Sequence, residues 1–240
     1  MRNALILASL LLASACNFSN AQEPETAGEN IRRDYQVGAF ERLSLAGPHN
    51  VVVTVGGAPS VRAEGDAKLI ERLEVKVENG QLRLGVKDEN RIGWNSGRKA
   101  LTIYVTAPSL QAAEMAGSGE IKVDKVEGKS FAAAIAGSGD IDLASLRVEE
   151  ASFSIGGSGN IKAAGAAQAT QVSIAGSGDL DLSALDAQRA RVSIAGSGNV
   201  RARATQTANV SIMGSGDVTI AGGAKCSISK MGSGEARCTA

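Results

Sequence analysis

Seven Gly-Ser-Gly triplets in the second half of this chain are each followed directly by an acid or an amide: Glu120, Asp140, Asn160, Asp179, Asn199, Asp217 and Glu235. Serine beside carboxylate suggests three chemistries. The first is nucleophilic attack by Ser118, Ser138, Ser158, Ser177, Ser197, Ser215 or Ser233. Such a serine needs a strand-to-helix elbow and a neighbouring base. These triplets lie between strand patterns, and the chain has a single histidine, His49. A triad of the usual kind and a histidine-based metal site are both excluded. The second is calcium binding by the carboxylate column, since calcium takes oxygen ligands. The spacing differs from the calcium-binding Gly-Gly-x-Gly-x-Asp nonapeptide, so only the column itself keeps this chemistry open. The third is acid–base cleavage of a polysaccharide by outward pairs such as Asp140/Asp142 and Asp179/Asp181. A sugar cleft usually adds aromatic platforms, whereas the repeats hold only Phe131 and Phe153, both at inward positions. The carboxylates read more simply as solvated rungs that keep a glycine-rich rod soluble. The glycines lack the lysine and the following helix of a phosphate cradle. With 25 basic and 25 acidic residues the chain has no nucleic-acid footprint. No catalytic residue, metal ligand or cofactor is assigned.

The elements that would carry these residues follow from the flanks of the triplets. The corner glycines are Gly117 and Gly119, Gly137 and Gly139, Gly157 and Gly159, Gly176 and Gly178, Gly196 and Gly198, Gly214 and Gly216, and Gly232 and Gly234, in steps of 20, 20, 19, 20, 18 and 18 residues. Two residues before the triplets stand Met115, Ile135, Ile155, Ile174, Ile194 and Ile212, and two after them stand Ile121, Ile141, Ile161, Leu180, Val200 and Val218. Period-two alternation of this kind marks strands with one buried face. A single unit cannot bury that face, but stacked units can. The expected fold is an all-β parallel solenoid, right-handed as parallel crossovers usually are, with about 18–20 residues per coil and the glycines in one line of corners. A second column supports in-register stacking: Lys122, Asp142, Lys162, Asp181 and Arg201 alternate in sign.

Residues 1–21 read as a secretory signal, with Arg2, an apolar run from Ala4 to Ala13 and a small-residue exit. Ser19-Asn20-Ala21 before Gln22 suits ordinary signal peptidase. Ala13-Ser14-Ala15-Cys16 is the competing exit, a lipobox that would put lipid on Cys16, with Ala13 where leucine is usual. Residues 22–34 are polar and read as a flexible leader, and 35–240 as a single β-solenoid domain, with N-terminal coils and a cap in 35–110 and the repeats in 111–240. The repeat is not visible before residue 111, where Asp66 to Leu73 suggests one helical turn and Trp94 sits in a polar loop. In an oxidising compartment Cys226 and Cys238, inward on the last coil, are expected to pair. Lys230 replaces the inward isoleucine on that coil, as befits a terminal repeat.

These features together resemble a bacterial family, the head GIN domain of putative auto-transporter adhesins. The resemblance is carried by Phe40, Gly47-Pro48 and the valine run to Val55, by Asn79-Gly80-Gln81-Leu82, by Ala107-Pro108-Ser109-Leu110, and by the recurring Gly-Ser-Gly-acid unit. It implies a parallel β-helix and an extracytoplasmic, surface-adhesive role without established catalytic residues. The expected function is a non-enzymatic exported envelope protein presenting a β-helical surface for adhesion, binding or scaffolding. Its expected partners are an envelope polysaccharide or a surface protein. Nucleic acid is excluded, and the membrane is reached only through lipid on Cys16. The alternative is a carbohydrate-active enzyme on the same fold.

Overall fold

A computed structural model describes residues 29–87 and 100–240. The signal segment, Cys16 and Trp94 lie outside the described residues. The repeats form β8 (Ala112–Gly117), β9 (Glu120–Val123), β10 (Val126–Gly137), β11 (Asp140–Gly157), β12 (Asn160–Gly176), β13 (Asp179–Gly196), β14 (Val200–Arg203), β15 (Thr207–Gly214), β16 (Val218–Ala221), β17 (Lys225–Met231) and β18 (Ala236–Cys238). All pair in parallel. Met115, Ile135, Ile155, Ile174 and Ile194 stack rung on rung, continue to Ile212, and give way to Lys230. The charge column keeps the same register, Lys122 beside Asp142, then Lys162, Asp181 and Arg201. The inward columns fill one continuous core, in which Phe131 and Phe153 are buried.

The corners show why each triplet needs two glycines. Gly137 has φ +137°, and a Cβ on it would lie 2.3 Å from the carbonyl oxygen of Gly117. Gly139 needs only the space, since its Cβ would meet the carbonyl oxygen of Gly119 at 2.5 Å. This closeness lets the N–H of Ser138 donate to Gly117 O at 2.9 Å, a bond repeated up the stack by Ser158, Ser177, Ser197 and Ser215.

The N-terminal part comprises β1 (Asn30–Tyr35), β2 (Arg42–Gly47), β3 (Asn50–Val55), β4 (Ser60–Asp66), α1 (Ala67–Arg72), β5 (Leu73–Glu78), β6 (Gln81–Val86) and β7 (Thr102–Ala107). Strands β2 and β3 are a coil of the stack that the sequence conceals. Gly47 pairs with Gly117, and Val51 with Ile121, at an offset of 70 residues instead of about 20. Gly47-Pro48-His49 occupies the corner. Strands β6 and β7 pair in parallel with the outer edges of β2 and β3, so the first coil lies between two segments that follow it in the chain. Beyond them the ladder turns antiparallel. Strand β5 closes on β6 through Asn79 and Gly80, both at positive φ, and β4 pairs with β7.

The expectation of a flexible leader over 22–34 is corrected for its last residues. Asn30 to Asp34 belong to β1, whose antiparallel register against β4 runs from Asn30 with Asp66 to Tyr35 with Val61. Its alternation is masked because Arg33 stands in the half-buried row between Ile31 and Tyr35. Helix α1 matches the expected turn. The Asp66 carboxylate caps it by accepting from the Lys68 N–H at 3.0 Å, and its buried Leu69 and Ile70 cover the end of the core.

Candidate binding surface

The column after the corners, which reads as acidic in sequence, is a hydrogen-bonded ladder. Asn160 Nδ2 donates to the Asp140 carboxylate at 2.8 Å, and Asn199 Nδ2 to that of Asp179 at 2.9 Å. Side-chain oxygens also accept backbone N–H groups from the next coil: Asp179 N–H donates to Asn160, Asn199 N–H to Asp179, Asp217 N–H to Asn199 and Glu235 N–H to Asp217. From Asp140 to Asp217 the alternation of acid and amide separates like charges, and these side chains satisfy donors that the corner would leave unpaired. Sequence reasoning missed this role, although the Asp–Asn alternation was its signal. Among the described residues no group of three or more His, Cys, Asp or Glu side chains is placed to hold a metal ion.

The charged rungs beside this ladder pair chiefly within their own coil. Lys122 Nζ lies 2.9 Å from Glu120, and that bond together with the neighbouring charge raises the lysine's pKa. The Asp181 carboxylate accepts from the hydroxyl and N–H of Ser183 at 2.6 and 3.0 Å. These bonds hold it below the ordinary carboxylate range, with smaller help from Arg201 and Lys162 on adjacent coils.

The corner serines are exposed in line along the stack. His49 cannot serve them as a base. It is 1% exposed, its Nδ1 accepts from the Leu101 N–H at 3.4 Å, and burial pushes its pKa down to about 4. Cys226 and Cys238 form a disulfide with Cα atoms 6.7 Å apart. They occupy the column positions of Ala208 and Ile220, on the last coil.

An axial groove of about 510 Å³ runs along the repeat surface. Two outward rows form its walls. One runs Ser130, Glu150, Ala169, Arg189, Thr207; the other runs Ala132, Ser152, Gln171, Arg191, Asn209. Between them the inward row of Phe131, Ala151, Thr170 and Ala190 makes the floor. Arg42 stands at one end, its guanidinium bonded to the Asn79 carbonyl at 2.7 Å. From the Arg42 rung to the Asn209 rung is six steps in register, about 29 Å at the usual strand spacing. A second groove of about 740 Å³ lies where the β5–β6 hairpin overhangs Ala46, Ala116 and Ala136, with Arg72, Glu74 and Arg83 at its rim.

The family model for the putative auto-transporter adhesin head GIN domain matches residues 39–224. No curated protein matches the chain. Solved structures with the same fold include a putative adhesin from Bacteroides fragilis, with TM-score 0.82 and 23% identity over 88% of this chain and 97% of that one. A putative lipid binding protein from Parabacteroides distasonis aligns with TM-score 0.72 and 23% identity, over 89% of this chain and 97% of that one. A putative adhesin from Parabacteroides merdae aligns with TM-score 0.68 and 16% identity, again over 89% and 97%.

Proposed function

The chain belongs to the putative auto-transporter adhesin head GIN domain family, and from that membership we propose that it is an exported, non-enzymatic envelope protein whose solenoid surface recognises an extended surface polymer. The adhesin-like character of the family supports the coarse reading. The finer one is carried by the axial groove. It sets polar side chains on two walls, Ser130, Glu150, Arg189 and Thr207 on one and Ser152, Gln171, Arg191 and Asn209 on the other, over a floor of mostly small side chains. A surface periodic along its axis suits a ligand periodic along its own, because many weak contacts then add in one register.

Co-sedimentation of the purified exported protein with isolated envelope polysaccharide tests this. Saturable retention with no change in polymer length is expected. Shortening of the polymer would replace the reading with an enzymatic one, and absence of retention would end it. Mass spectrometry of the exported N-terminus distinguishes the two exits, with Gln22 as the first residue expected and a lipid-bearing Cys16 as the competing result.

A further inference from the structure

We propose that the C-terminal half of the axial groove is a binding site for a carboxylate-bearing polysaccharide, clasped between Arg189 and Arg191. The proposal rests on the surface-recognition reading above and gives it a site and a ligand class. Both arginines are exposed and stand on opposite walls of one coil, on either side of buried Ala190. Among the described residues neither has a carboxylate within ion-pair distance. Asp186, an acid on the same strand, is instead held by Arg203 at 2.9 Å. One guanidinium without an ion-pair partner on each wall of a trough suits the planar, bidentate recognition of a carboxylate that arginine favours.

The surroundings set the direction and the polymer. Gln171 and Asn209 lie one rung before and one rung after Arg191, offering amide donors and acceptors to hydroxyl groups. Lys225 continues the Arg189 wall two rungs further on. Glu150 stands two rungs back on that wall, where it opposes an anion. Acidic units therefore seat from the arginine pair towards the C-terminal coils, and neutral units can occupy the Ser130–Ser152 stretch. Rungs recur about every 4.8 Å and a protein strand rises about 3.2–3.4 Å per residue, so in a strand only every third residue would meet every second rung. Phe131, the aromatic residue lining the groove, is buried and offers no face on which bases could stack.

The experiment measures affinity of the full exported protein for polygalacturonate, for its neutral methyl ester and for single-stranded DNA. It compares wild type with R189A/R191A and with K68A/R147A, a matched charge loss away from the groove at residues in none of the ion pairs. Polygalacturonate should bind in a salt-dependent manner, the ester at least about tenfold more weakly. R189A/R191A should lose about tenfold or more, and K68A/R147A no more than about twofold. All four side chains are exposed, so the variants should unfold at the wild-type midpoint. Equal binding of DNA would mark a generic polyanion surface and overturn the proposal. So would equal loss in both variants, an unchanged R189A/R191A, or no binding of polygalacturonate. Retention on native envelope polysaccharide that survives R189A/R191A would sink this site while leaving the proposed function standing, and absence of retention by the wild type would sink both.

Discussion

Replacing Gly176 by alanine should fracture the stack at its middle. Gly176 has φ +137°, and its Cβ would lie 2.2 Å from the Gly157 carbonyl oxygen, with the Gly157 carbonyl carbon and nitrogen at 3.0 and 3.1 Å. All three are backbone atoms, so no side-chain rotation relieves the contact. Forcing alanine into this backbone region costs about 1–3 kcal/mol. Opening the coils enough to accept a methyl group costs about 1–3 kcal/mol as overpacking. The bond from Ser177 N–H to Gly157 O, at 2.8 Å, is stretched or lost, worth about 0.5–1.5 kcal/mol. The total is ~2.5–7.5 kcal/mol. Gly178→Ala meets backbone as closely, 2.2 Å from Gly159 O, but without the φ penalty, and should cost ~1–3 kcal/mol less. Gly38→Ala, with nothing within 4 Å, should be neutral or stabilising by up to about 1 kcal/mol. Urea unfolding followed by far-ultraviolet circular dichroism gives the ordering Gly176 worst, Gly178 intermediate, Gly38 neutral. Because coils contact only their neighbours, Gly176→Ala should also split one transition into two. A midpoint within error of wild type would refute the claim that these corners stack in contact.

Three further outcomes follow. Lys162→Glu places a carboxylate between Asp142 and Asp181 and should destabilise by about 0.5–2 kcal/mol at low salt, less at high salt; no change in melting temperature at low salt would contradict this register. Reduction of Cys226–Cys238, which are 12 residues apart, should remove about 2–3 kcal/mol and speed amide exchange in β17 and β18 while leaving β12 protected. His49 is held neutral with its pKa lowered from 6.5 to about 4, so its contribution is intact above pH 6.5 and is lost as pH falls towards 4, roughly 3 kcal/mol in all; denaturant midpoints of His49→Leu between pH 7 and 5 should lack most of the slope seen in wild type.

The repeat columns, corners and charge register were legible because side-chain period and coil length are both written in one dimension. Ile135 and Ile155 declare their partnership by spacing alone. The first coil was not legible. Pro48 and His49 stand where Ser and Gly stand elsewhere, and the excursion through β4 to β7 moves Gly47 from its expected distance to 70 residues from Gly117. The large His49 side chain is buried at this corner, where its Nδ1 accepts from the Leu101 N–H. Strand β1 was hidden for another reason. An edge strand buries little, and Arg33 can stand in its half-buried row. The arginine pair across the groove also escaped notice. Arg189 and Arg191 are ordinary outward residues until the flanking rows show what stands above and below them.

The order of the rungs has a mechanical consequence. The β2–β3 coil precedes its neighbours in the chain but is clamped between β6–β7 on one side and β8–β9 on the other. It cannot peel off as a free terminal repeat would. At the opposite end β17 and β18 each rest on one neighbour, with Met231 73% exposed and a disulfide tying them together. Under tension the rod is therefore a ratchet with one weak end. Coils unzip singly from the C-terminal side, while the N-terminal side yields only when several strands give way together, so pulling in the two directions should produce force traces of different shape.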